Sequence, residues 1–196
     1  MSRHTGRRQA RYTVAIVGDG FTESIYFSDL RDTLRPEWLH IAPEFPGRIG
    51  SYSGVLERAV GLTEDYSRVY AMIDMDAVIA QQQMSAYLQH KADAMNQGVI
   101  VLENNPCFEM WLLLHFDRTG RLFQNCAQVV TALRRYMPGY NKSLRYVEAA
   151  RLFASLADRL PQAMENAAML EETRDDHDIL YPRAEVFRFF EWFQGR

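Results

Sequence analysis

Apolar and polar positions divide the chain into short apolar runs that alternate with segments of helical period over its first half. Tyr12 to Val17 (YTVAIV) is β-branched and apolar and predicts a first strand, ended by Gly18-Asp19-Gly20. Thr22 is placed to cap a helix from about Glu23 to Leu34, with Ile25, Tyr26, Phe27 and Leu30 for the core. Leu39 to Phe45 predicts a second strand, at an edge because Pro43 interrupts it. After a turn-rich stretch from Gly47 to Gly54, a helix is expected from Val55 to about Asp65. Val69 to Ile73 predicts the third strand, Val78 to about Asn96 a helix, and Gly98 to Leu102 the fourth strand, ending at Glu103.

The pattern then changes. Cys107 to Phe116 is apolar on all sides of a helix, which marks a buried segment. Helices are expected over Gln124–Arg135, Leu144–Leu160, Pro161–Glu172 and the aromatic-rich Arg183–Phe193, with Arg174 to Asp178 an exposed loop. Strands alternating with helices argue for the α/β class: a mostly parallel sheet flanked by helices, with a helical C-terminal elaboration. The expected organisation is a flexible basic arm over 1–11, an α/β core over 12–116 and helices over 117–196 packed on that core.

Composition narrows the function classes. A chain of 196 residues fits about one domain with a real core. The net charge of −3 gives no global case for nucleic-acid binding, so any such surface must be local. No apolar run has the length of a membrane span. The two cysteines, Cys107 and Cys126, are expected to be reduced thiols in a cytoplasmic protein. The aromatic residues of the last helix are read as core, which leaves homo-oligomerisation open.

Candidate chemistry collects where strands end. Asp74 and Asp76 follow the third strand with one residue between them, and alternation puts residues i and i+2 of an extended chain on one side. Two close carboxylates repel unless a cation or proton lies between them, and hard cations such as Mg2+ or Mn2+ take oxygen ligands. The bland alternative is a loop or helix-capping aspartate beside a solvated one. Asp19 after the first strand and Glu103 after the fourth would join the same edge of a parallel sheet. Such a cluster suits phosphoryl transfer. Glu23, by its position alone, reads as a first-turn acid that complements the helix dipole. Glu109 needs a partner in so apolar a segment: an arginine, backbone groups or the metal site. His115 reads as a satisfied core or interface histidine and Cys107 as a structural thiol. Lys142, Arg145 and Arg151, interleaved with Tyr136, Tyr140 and Tyr146, suit either a phosphate grip or a solvated helix face.

Three of these stretches carry a resemblance. Val17 to Phe27 (VGDGFTESIYF), Ile73-Asp74-Met75-Asp76, and Asn105 to Phe116 (NPCFEMWLLLHF) resemble, in order and spacing, the motifs of RloB-like proteins, a bacterial group with a Toprim-type core. The resemblance spans roughly residues 12 to 116, and N-P-x-F-E-x-W-L-L-L-H-F is its most specific part. It implies a Toprim-like fold in which Asp74 and Asp76 bind Mg2+, and a glutamate after the first strand manages a proton. That position falls on Asp19, one methylene shorter, which would bind metal or move the proton. Glu23 and Glu109 lie inside the family's motifs and are implied as catalytic or supporting residues.

The function expected is therefore a Mg2+- or Mn2+-dependent nuclease of bacterial phage defence, acting on DNA or RNA, with an ABC-type ATPase as the partner the resemblance implies. The alternative is a catalytically weak Toprim-like module that binds nucleic acid or that ATPase, favoured by Asp19 and by the acidic pI of about 6.0. A small-nucleotide phosphodiesterase is the third reading.

Overall fold

A computed structural model describes residues 11–44, 50–174 and 178–196. Its centre is a five-stranded sheet of order β2-β1-β3-β4-β5. β1 (Tyr12–Val17), β2 (Leu39–Glu44), β3 (Arg68–Asp74) and β4 (Val99–Asn105) are parallel. β5 (Arg183–Ala184) closes the β4 edge antiparallel. β2 forms the opposite edge, where the missing N–H of Pro43 costs no ladder bond on an inner strand.

Strand alternation builds two apolar layers. Val14, Ile16, Tyr70, Met72 and Leu102 face one core, shared with α1 (Phe21–Leu34), α5 (Glu109–Leu114) and α10 (Val186–Gln194). Ala15, Val17, Ala71, Ile73 and Val101 face the other, covered by α2 (Tyr52–Val60), α3 (Met75–Ala80) and α4 (Met84–Asn96). Helices α6 (Cys126–Leu133), α7 (Leu144–Ala150), α8 (Leu152–Leu156) and α9 (Leu160–Glu172) enlarge the first core. Asp29 of α1 bolts them down, accepting from the Arg151 guanidinium and from the Ala154 N–H at 2.9 Å. The rings of Phe187, Phe189 and Phe190 in α10 are buried, whereas Trp192 and Phe193 are half-buried.

The structure departs from the expected elements at several points, among them the cap of α1, which is Gly20 and not Thr22. The long helix expected from Val78 to Asn96 is two helices, α3 and α4, broken at Gln81–Gln83 where Gln82 has φ 56°. The expected Leu144–Leu160 helix breaks at Arg151, which has φ 46°. Arg183 and Ala184, expected to open the last helix, form β5 instead. The fourth strand runs on to Asn105, past Glu103. Residues 1–10, 45–49 and 175–177, which include most of the basic arm and of the acidic loop, lie outside the described residues. Among the described residues, no helix is long and apolar enough to cross a membrane.

Candidate metal centre at the carboxyl edge of the sheet

The centre lies where β1 and β3 leave the sheet side by side. β1 ends at Val17, and Gly18-Asp19-Gly20 turns the chain directly into α1. Glu23 stands in the first turn of α1, is buried, and lies against that turn. Gly20 permits this approach: a Cβ at position 20 would run into Oε2 of Glu23 and lie 3.0 Å from its Cδ. β3 ends at Asp74, the last extended residue before α3. One carboxylate oxygen each from Asp19, Glu23 and Asp74 lie within 4.8 Å of one another.

Electrostatics mark the trio as incomplete. Among the described residues none of the three forms a salt bridge. Burial, then the charges of Asp19 and Glu109, push the Glu23 carboxyl up to about 8. Burial, then Glu23 and Asp19, push Asp74 well above the ordinary carboxylate range. Desolvation also raises Asp19, with Asp76 adding to the effect. Among the described residues Lys142 is the one cation whose charge relieves all three, without a salt bridge to any, and three oxygen donors that still repel one another are the donor set of a hard divalent ion. The residues present therefore fit Mg2+ or Mn2+.

Asp76 lies outside this trio. The residues after Asp74 are helical rather than extended, so the two-residue alternation that would align the aspartates stops at Asp74. Asp76 occupies the first turn of α3, its N–H bonded to the Pro106 carbonyl at 3.0 Å. Glu103 is also elsewhere. Strand alternation puts its side chain, like that of Val101, on the α4 face, where it accepts from Tyr87 Oη and Lys91 Nζ, each at 2.6 Å, and from the Arg183 guanidinium. Burial opposes its ionisation, but Arg183 and Lys91 hold it below the usual carboxylate range.

Glu109 is fully buried behind the trio. It accepts from Tyr140 Oη at 2.8 Å and from Lys142 Nζ at 3.1 Å. Burial opposes the charge of Lys142, yet Glu109 and Asp74 hold its ammonium above the ordinary range. Lys142 is thus a site residue that helical periodicity does not single out from Arg145 and Arg151. Arg151 binds Asp29 instead. Cys107 and Cys126, expected as free thiols, form a disulfide. The packing of α5 against α6 brings their Cα atoms to 5.5 Å although they are 19 residues apart, which spacing alone does not reveal. His115 is the core histidine expected: its Nδ1 pairs with the Trp111 carbonyl, and burial lowers its pKa to about 4.

The family model for RloB-like proteins matches residues 14–191, from β1 into α10. The chain belongs to the RloB-like family. No curated protein and no solved structure matches it.

In this RloB-like chain the Asn105 to Phe116 block has a local physical purpose. The Phe108 N–H donates to Asp74 Oδ1 at 2.9 Å and fixes that carboxylate. Asn105 Nδ2 ties the segment to the carbonyls of Ile179 and Tyr181 at 2.9 and 2.8 Å. Trp111 Nε1 donates to Tyr26 Oη at 3.0 Å, so α5 grips the helix that carries Glu23. Gly20 supplies a direct test of the crowding. Gly20→Ala is expected to displace the Glu23 carboxyl and weaken Mg2+ binding about tenfold, with little change in melting temperature. Calorimetric titration with Mg2+ beside a thermal melt measures both. Unchanged affinity would show that the Glu23 carboxyl need not lie where it does.

Proposed function

We propose that this RloB-like protein is a Mg2+- or Mn2+-dependent nuclease with a Toprim-type centre, hydrolysing phosphodiester bonds in bacterial phage defence. The observation that carries the reading is the unpaired trio Asp19, Glu23 and Asp74 at the carboxyl edge of a parallel sheet. Asp74 and Asp19 would hold the ion, with Asp76 close enough for its charge to be felt at Asp19. When bound, the ion polarises a phosphoryl oxygen and lowers the pKa of a coordinated water.

The chain's own residues divide the remaining work. Glu23, buried beside Asp19 and Asp74, is placed to pass a proton to the leaving oxygen as the P–O bond breaks. The Lys142 side chain is about half exposed, so its ammonium can meet a non-bridging phosphate oxygen while Glu109 holds it in place. Glu109 is a positioning residue in this scheme, and Tyr140 fixes its second oxygen.

The test is cleavage of DNA and RNA by the purified chain with Mg2+, with Mn2+ and with chelator. Lys142→Met is expected to lower the rate by about a hundredfold, and Lys142→Arg to recover part of the loss. Wild-type rates in Lys142→Met would remove the phosphate role. A second reading, a binding module that lacks strong catalysis, rests on Asp19, whose shorter side chain stands where the motif has glutamate. Nucleic-acid binding without cleavage, even with an ABC-type ATPase added, would favour it. Cleavage appearing only with the ATPase would keep the nuclease and establish its partner.

A further inference from the structure

A pocket of about 90 Å³ opens beside the acidic trio, with Asp19 and Asp74 on one wall. The rest of its described lining is neutral: Tyr52, the buried Val78, Gln81 and Gln83 are among it, and among the described residues no lysine or arginine is. Tyr52 is held from behind, edge-on to Tyr87 at 5.3 Å and 90°, and tilted against His90 at 5.8 Å. The break between α3 and α4, where Gln82 takes a positive φ, places the two glutamines at this pocket instead of along one continuous helix.

We infer that this pocket receives the nucleobase next to the scissile phosphate, an inference that rests on the nuclease reading. A phosphate is a poor occupant, because two carboxylates line the pocket and, among its described residues, no cation does. A flat, uncharged ring with donors and acceptors on its edge meets each kind of wall. Tyr52 and Val78 supply a face for stacking and apolar contact. Gln81 and Gln83 each carry two donors and one carbonyl acceptor for the edge of a base. Such a base lies beside Asp19 and Asp74, which brings its phosphate to the trio. The enzyme then selects its cleavage position by the base that enters.

Uncharged nucleosides separate the pocket from the chemistry, because they carry no bond to cleave. Saturation-transfer NMR of adenosine, guanosine, cytidine, uridine and thymidine with the full chain is expected to give transfer to base protons for at least one of them. Ala77 also lines the pocket and is exposed, so Ala77→Phe fills it without entering the core. That variant is expected to weaken nucleoside binding about tenfold or more, and Tyr52→Leu by about fivefold or more, with melting temperatures retained. End-sequencing of cleavage products is expected to find a base preference in the wild type that Ala77→Phe loses. No nucleoside binding, or binding that Ala77→Phe leaves intact, overturns the assignment. Nucleoside binding without any cleavage upholds the pocket and removes the nuclease, whereas cleavage with neither binding nor base preference does the reverse.

Discussion

Asp74→Asn is expected to lower metal-dependent cleavage by about a thousandfold and, in metal-free protein, to raise the melting temperature at alkaline pH. The two effects have one cause. Asp74 is crowded by Glu23 and Asp19 and is pushed well above its ordinary pKa. The folded protein therefore holds a proton there that the unfolded chain releases. Stability falls as pH rises from the ordinary aspartate range toward the folded value, because over that window the native state binds more protons than the unfolded state. Glu23 adds the same slope between its ordinary value of 4.5 and about 8. Asparagine has no proton to lose, and its Oδ1 still accepts the Phe108 N–H, so local geometry survives. A bound Mg2+ would supply the missing countercharge at Asp74 in place of its proton. The wild type should therefore gain more thermal stability from Mg2+ at about pH 9 than at about pH 6, and Asp74→Asn should gain little at either. Melts with Mg2+ and with chelator at both pH values, beside a cleavage assay, measure all of this. Full metal-dependent cleavage in Asp74→Asn would end the assignment of the site.

Glu103→Gln is expected to act oppositely, destabilising the fold by about 3 kcal/mol or more and leaving Mg2+ binding in place. Glu103 is 2% exposed and neutralises Arg183, itself 9% exposed, together with the half-buried Lys91. Removing its charge strands a buried guanidinium, and breaking a buried pair from one side costs far more than the pair contributes net. The neighbouring Arg183 main chain belongs to β5, so the loss also loosens the antiparallel edge. For a chain of this size that corresponds to a melting-temperature drop of roughly 10 °C. The Mg2+-dependent increment should remain in the variant, because Glu103 faces α4 and not the trio. Loss of that increment with the fold intact would place Glu103 back in the site.

The contrast between these two acids is the main lesson of the chain. Both follow apolar strand sequence, and from the sequence both belong to one acidic edge. Strand register decides between them: Glu103 pairs with Ile73 and, like Ile73 and Val101, points to the face that α4 covers, whereas Asp74 stands one position further on, at the strand's end. Asp76 fails to join Asp74 for a related reason, since a helix begins immediately after Asp74 and the period of two no longer applies. Glu23 goes the other way. Its sequence position fits a first-turn acid that complements the helix dipole, and only the Gly18-Asp19-Gly20 turn, with no Cβ at position 20, lets it close on Asp19 and Asp74.

By itself, the sequence determined the α/β class, the four parallel strands, the edge position of β2, the buried segment after Pro106 and the motifs that mark an RloB-like chain. These follow from local apolar periodicity, turn residues and short motifs, which require no knowledge of distant partners. The tertiary structure alone decided which carboxylates meet, that Lys142 rather than Arg145 or Arg151 reaches Glu109, that Cys107 pairs with Cys126, and that the break at Gln81–Gln83 shapes a pocket. Each of those depends on where separate elements stop and how they pack. A shift of one or two residues at an element's end turns a side chain to another face, and the pattern of apolar positions does not resolve ends that finely.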